Sequence, residues 1–389
     1  MTRGTVSEHE VVLCVGDTTF LDYGKIIVKR EGYCPTGNGG NGLILHTALA
    51  IDPQHGQPLG LLWQKLWNRE SKPKPPADET PRQKKQRRAL AKKVARARPF
   101  EAKESYRWVE ALKTVDKQIG TSTCVVHVFD REGDIAEVLE HVRQLKQTEV
   151  VVRAAHDRSL DPSSERLWAK LEIQPIQFYQ NIEIPKTESL AARTAKVAVR
   201  FCQVSLRTPY RFDNREALKV HAVYAGEVEC PDGATPLSWM LLTTVAVTTV
   251  EIATTILRWY SYRWRVEEYH KLLKSGTQVE RYRLAANGMK TLYGFLSVIA
   301  VELLHLTYLH RTQPEASVEL VLNPTQIAVL KAKSSKLPKV LTVAWALEAV
   351  ARLGGYLEHR RKTPIGIQVL WRGWLKLLHL CEGWQLAQT

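Results

Sequence analysis

Asp17 and Asp130 each close a short apolar run, VVLCV at 11–15 and TCVVHVF at 123–129. Such runs read as buried strands, and in an open α/β sheet ligands bind at the carboxyl ends of strands. A third acid, Glu267, lies in a helical stretch over 252–275 together with Tyr260, Arg263 and Lys274. At about 100° per residue these four fall near 0°, −60°, −20° and −40° in the order Tyr260, Arg263, Glu267, Lys274, one narrow arc. His270 and Lys271 flank it, while Tyr262, Val266, Tyr269 and Leu273 take the other side and can face a core. A carboxylate on that arc can bind a metal ion, and the cations beside it can grip phosphate. Each acid also has a plainer reading. Asp accepts backbone hydrogen bonds in turns, and an acid among cations makes a salt-bridged solvent face. Geometry alone leaves both open.

The elements that must position these residues follow from the pattern around them. Strands are expected at 25–29 and 42–51, and near 58–65, with helices at 103–118 and 134–146 and a strand at 149–153. Strands and helices in that order belong to α/β architecture. Over 155–250 the texture changes to short strands, 174–184, 193–206, 217–226 and 239–247, which read as a mostly β insertion. After Val250 the chain reads as helical, with breaks near Asn287-Gly288, Pro314, Pro324, Pro338, Gly354-Gly355 and Pro364. The expected regions are thus 1–154, 155–250, 251–285 and 286–389, with no internal repeat. The stretch 71–99 stands apart. It opens with four prolines and then carries Arg82, Lys84, Lys85, Arg87, Arg88, Lys92, Lys93, Arg96 and Arg98 with no acid between them. It reads as a mobile loop or weak helix on the surface, either a solvated charge run or a phosphate contact.

The bulk composition fits a nucleic-acid partner without requiring one. The net charge of +15 over 389 residues favours a polyanion, nucleic acid or an acidic membrane surface. Six scattered cysteines without a CxxC pair read as free thiols in a reducing cytosol rather than disulfides or a zinc site. The N-terminus lacks the apolar core of a signal peptide. The greasy stretch 292–309 carries Glu302 and His305 and reads as a buried helix rather than a membrane span. The expected location is cytoplasmic.

The spacing from Tyr260 through Arg263 and Glu267 to Lys274 resembles the Y-R-E-K signature of the insertion-sequence-four family of DDE transposases, and the string YRWRVEEYHKLLKSG is similar to its relatives'. Asp17-Thr18-Thr19 resembles the family's first-Asp motif and FDREGD at 129–134 its second. Further similar blocks are VVR at 151–153, TPLSWMLL at 235–242, ARLGG at 351–355 and LWRGW at 370–374. They come in the family's order and cover nearly the whole chain from about residue 11. The resemblance implies a cut-and-paste DNA transposase with a ribonuclease-H-like α/β core, interrupted by the β insertion between the second acid and the third, and followed by a helical region that dimerises. Asp17, Asp130 and Glu267 would be its catalytic, metal-binding acids, holding two Mg²⁺ (or Mn²⁺) ions. Two such ions ~4 Å apart activate the attacking oxygen and stabilise the leaving one, and Mg²⁺ needs only a few hard oxygen ligands.

Similar transposases nick one strand and form a hairpin on the other, which forces a base out of the stack at a cost of a few kcal/mol. Stacking that base on an aromatic ring returns ~1–3 kcal/mol. By the resemblance Trp239 is that platform, with Trp264 beside it; by its own apolar surroundings Trp239 reads as core. Tyr260, Arg263 and Lys274 would hold phosphates, helped by Arg153 and Lys271. The implied partners are DNA, both transposon ends and target, and a second copy in a synaptic dimer in the nucleoid, with no membrane. The family's end-reading domain should precede the first acid, yet only sixteen residues precede Asp17, too few to fold alone. Little sequence preference on DNA is therefore expected. The alternative reading is a regulatory protein that blocks full-length transposase by forming mixed oligomers.

Overall fold

The computed structural model describes every residue except 1, 24–31, 37–39, 70–75, 77, 121, 185–191, 213–215, 280, 281, 283, 358–364 and 389. The expected strand at 25–29 and the break at Pro364 lie outside the described residues. The architecture is mixed α/β, with one large mixed sheet and a helical C-terminal region. The strands are β1 (Val11–Asp22), β2 (Cys34–Pro35), β3 (Asn41–Ile51), β4 (Pro58–Trp67), β5 (Cys124–Phe129), β6 (Thr148–Arg153), β7 (Phe178–Ile184), β8 (Arg193–Leu206), β9 (Leu218–Glu227) and β10 (Ser238–Thr243). The helices are α1 (Thr2–Ser7), α2 (Pro81–Ala97), α3 (Tyr106–Gln118), α4 (Ala136–Val142), α5 (Leu167–Glu172), α6 (Val250–Ser261), α7 (Trp264–Lys271), α8 (Ala286–Thr312), α9 (Pro324–Lys333), α10 (Val343–Leu353) and α11 (Ile367–Leu386).

Along the sheet the order is β2-β3-β1-β5-β6-β10-β9-β8-β7, and β4 also pairs with β3. The joins β1–β5 and β5–β6 are parallel; β1–β3, β3–β4, β6–β10 and the rest are antiparallel. The strands of 155–250 therefore extend the same sheet rather than forming another. Both faces of its centre are covered, which explains the unbroken apolar runs of β1 and β5. Leu13, Val15, Val126 and Val128 join one core with residues of α6 to α11. Their neighbours Val12, Cys14 and Val125 pack with Val115 of α3, and Phe129 packs with Trp108 of α3. Alternation along a strand then sends Asp17 and Asp130 to the α6–α7 face, the side of Leu13 and Val128.

Several expected boundaries move. β1 does not end at Val15 but runs on through Gly16 and Asp17, because β3 continues to pair with it, Asp17 opposite Thr47, beyond the last parallel partner on β5. The stretch expected as a loop or weak helix holds the 17-residue α2. The helix expected over 134–146 is confined to α4, and α5 precedes β7 where only strand was expected. The single helix expected over 252–275 is three pieces: α6, α7 and a π-helical turn at Leu272–Gly276. At the first junction the bonds shorten to the i→i+3 pattern, with Arg263 N–H donating to Tyr260 O, Arg265 to Tyr262 O and Val266 to Arg263 O. The greasy 27-residue α8 buries Tyr293, Leu296, Ala300, Leu303 and Leu304 in the core it shares with α10 and α11.

Candidate active site

The parallel register pairs Val11 with Cys124 and Val15 with Val128. Carried two residues further, it sets Asp17 level with Asp130 on the face that α7 covers. Phe129, just before Asp130, turns to the α3 side and packs closely on β1 and on the turn after β5. A Cβ on Gly16 would stand 2.7 Å from its ring, and one on Gly133 2.6 Å from its Cβ, so two glycines make room for it. Asp130 caps the short turn that follows, its Oδ1 accepting the Glu132 N–H at 2.9 Å. Burial, with the Asp17 charge behind it, pushes the Asp130 carboxyl above its ordinary pKa; the Glu132 N–H and Arg263 only partly oppose this. The two aspartates form a repelling pair.

Arg263, at the α6–α7 junction, is a cation whose charge acts on both aspartates. Its Nη2 lies 2.7 Å from Glu267 Oε1, one helical turn on, and its guanidinium stacks 5.6 Å from the Trp264 ring. Burial works against its charge, yet Tyr260, Glu267 and Asp17 hold its pKa above the ordinary value. Its Nε is buried without a hydrogen-bond partner. Glu267 is thus held by Arg263. Among the described residues no group of three or more His, Cys, Asp or Glu side chains stands close enough to hold a metal ion.

Behind Asp17 runs a buried polar chain that sequence patterns did not single out. His270 Nδ1 is 3.5 Å from Asp17 Oδ2, and its Nε2 is 3.1 Å from Thr47 Oγ1. Gln64 Nε2 donates to Thr47 Oγ1 at 3.3 Å and to the Tyr269 hydroxyl at 2.8 Å. Gln64, Thr47 and His270 thus connect in series to Asp17, with Gln64 donating at the far end. His270 was seen only as flanking the helix arc. Arg107 was missed entirely: Nε donates to Thr18 Oγ1 at 3.0 Å, Nη2 to Glu132 Oε2 at 2.5 Å, and its charge reaches Asp130.

The expected DNA contacts divide. Trp239 and Tyr260, expected at the DNA, are buried, at 4% and 2% exposed. Their rings meet edge to face at 4.8 Å inside the core. Burial pushes the Tyr260 hydroxyl pKa up, against the charges of Arg263 and Arg153 close by. Arg153 donates to Ser238 O at 2.8 Å, and Lys274 Nζ to Phe20 O at 2.9 Å, which ties the π-helical turn to β1. Trp264 is half-buried and Lys271 exposed. No protein-family model matches this chain.

Proposed function

We propose that the chain is a DDE-type DNA transposase of the insertion-sequence-four kind, whose ribonuclease-H-like core performs metal-dependent strand cleavage, hairpin formation and strand transfer. One observation carries the reading: Asp17 lies two residues past the last β1–β5 pair and Asp130 directly follows β5, close enough for the Asp17 charge to act on Asp130, on the face covered by the helix that bears Glu267. The order β4-β3-β1-β5-β6, antiparallel up to β1 and parallel after it, supports such a core.

The donor set fits a hard divalent cation. Two mutually repelling carboxylates, one with its pKa held up, are relieved by positive charge. Asp17 and Asp130 would hold it, and Glu267 would join them on leaving Arg263. When bound, Mg²⁺ or Mn²⁺, two ions in this reading, supplies activation of the attacking oxygen and stabilisation of the leaving one. The side chains do the rest. His270 stands against the Asp17 carboxylate, and the Arg263 guanidinium, paired through Nη2 with the exposed Glu267, is the cation that would meet a phosphate. A phosphate there competes with Glu267 for the guanidinium, so substrate arrival frees the third acid. The half-buried Trp264 is better placed than Trp239 to receive an unstacked base.

The test is nicking and joining of duplexes with free 3′-hydroxyl ends to a supercoiled plasmid in Mg²⁺ or Mn²⁺. Asp17→Ala, Asp130→Ala and Glu267→Ala should each abolish product while leaving the fold intact. Wild-type turnover in any one of them removes that residue from the assignment, and a wild-type chain without DNA chemistry removes the reading.

A further inference from the structure

The helix α2 buries nothing. Every residue from Pro81 to Ala97 is exposed, so no packing against the body explains its presence. It is nonetheless well made. Pro81 opens it, and Thr80 and Gln83 form a reciprocal capping box. Glu79 pairs bidentately with Arg87 at 2.6 and 2.9 Å. At about 100° per residue, Arg82, Lys85, Arg88, Lys92, Lys93 and Arg96 fall within an arc of roughly 140°. Gln83, Gln86, Leu90, Val94 and Ala97 occupy the other side together with Arg87, the cation that Glu79 pairs. A helix that only meets solvent intersperses acids at i,i+4; here Arg88, Lys92 and Arg96 follow one another at that spacing, each repelling the next. Such an arc calls for an external polyanion.

Its root places that polyanion. Arg69 and Glu104, on either side of the segment that carries α2, pair bidentately at 2.5 and 2.8 Å. One helical turn beyond Glu104, Arg107 bonds Thr18 and Glu132, the neighbours of Asp17 and Asp130. The arm leaves the body beside the two aspartates. From Arg82 to Arg96 it is ~21 Å long at 1.5 Å per residue, a length over which duplex DNA carries about a dozen phosphate charges. A membrane surface fits less well, since α2 has only Leu90 and Val94 as large apolar side chains and no aromatic anchor.

We propose, resting on the transposase reading, that α2 is an outrigger that lays its cationic arc along the phosphate backbone of the duplex flanking the cleavage site, without reading bases. The experiment uses the full chain and a random 30-base-pair duplex, with affinity measured by fluorescence anisotropy over a range of NaCl concentrations. Arg88→Gln, Lys92→Gln and Arg96→Gln together should lower the slope of log K against log salt by roughly 2–3, about 0.9 per lost phosphate contact. Affinity at low salt should fall at least tenfold, with the unfolding temperature unchanged because no buried group is touched. The same replacement of the exposed Lys331, Lys333 and Lys336 should leave the slope alone. A normal wild-type slope that the α2 variant retains overturns the outrigger and spares the transposase reading. Absence of DNA binding by the wild type removes both. Arc-dependent binding to phosphatidylserine vesicles, with DNA binding unaltered by the variant, assigns α2 to a membrane surface and overturns the proposal.

Discussion

Trp239 separates two accounts of the same residue, and the structure allows their difference to be sized. In the core account its indole fills space against Tyr260, with ring centroids 4.8 Å apart. Truncating a buried Trp to Ala costs about 3–5 kcal/mol. An unfolding entropy of ~2.1 cal/mol/K per residue over 389 residues gives roughly 0.8 kcal/mol/K for the whole chain. Trp239→Ala should therefore lower Tm by about 4–6 °C. Trp239→Phe keeps an aromatic edge against Tyr260 and should lose only about 1–2 °C. Function should follow the same order. With its wall gone, Tyr260 would shift beside Arg153 and Arg263, whose charges act on it, so nicking and hairpin formation should fall together. The assay pairs a thermal melt with gel separation of nicked and hairpin products. A Trp239→Ala protein that melts at the wild-type temperature and fails only at hairpin formation would refute the core account and restore the base platform.

Two further outcomes are expected. Gly16→Ala places a methyl 2.7 Å from the Phe129 ring, so overpacking should cost about 1–3 kcal/mol; a melt paired with a turnover assay should show activity falling further than stability alone explains, and an unchanged melt would show that the ring has room to move. Asp130→Asn should raise Tm at neutral pH, because burial and Asp17 hold the folded-state pKa above the ordinary 3.8 and the ionised form is what the fold penalises. The penalty exists at pH values above the raised folded pKa and vanishes below 3.8, so the Tm gap between variant and wild type should close as pH falls towards 4. A gap that persists unchanged at acid pH would locate the gain elsewhere.

What could be read in advance were features written in local pattern. β1 and β5 are buried on both faces, so their apolar runs were plain, and their terminal aspartates stood out against them. The helix bearing Glu267 was legible as an amphipathic face. Its break was not, since no Pro or Gly marks it. The tertiary reason lies far away in sequence: the Tyr262 hydroxyl donates to Gln54 O at 2.9 Å, and its ring packs on Gly56, where a Cβ would come within 2.7 Å. Arg107 and Thr47, and the contact of His270 with Asp17, are invisible for the same reason, each meaning nothing until β1, β3, α3 and α7 converge. Trp239 sits in a strand whose pattern already suggested core, and its burial agrees with that pattern. The stability of α2 was underestimated because a run of cations hides a good capping box.

The alignment of Asp17 with Asp130 is set by the parallel pairing of β1 with β5, and strand pairing is a digital quantity. A sheet cannot slip by half a residue. One step along the strand, ~3.3 Å, would also turn every side chain to the opposite face. Damage to this pairing should therefore split the molecules into two species, one with both acids aligned and one with them on opposite sides of the sheet. Preparations of such variants would behave as mixtures, with a reduced fraction of fully competent protein rather than a uniformly slowed one. Active-site titration, not average rate, is the measurement that would see it.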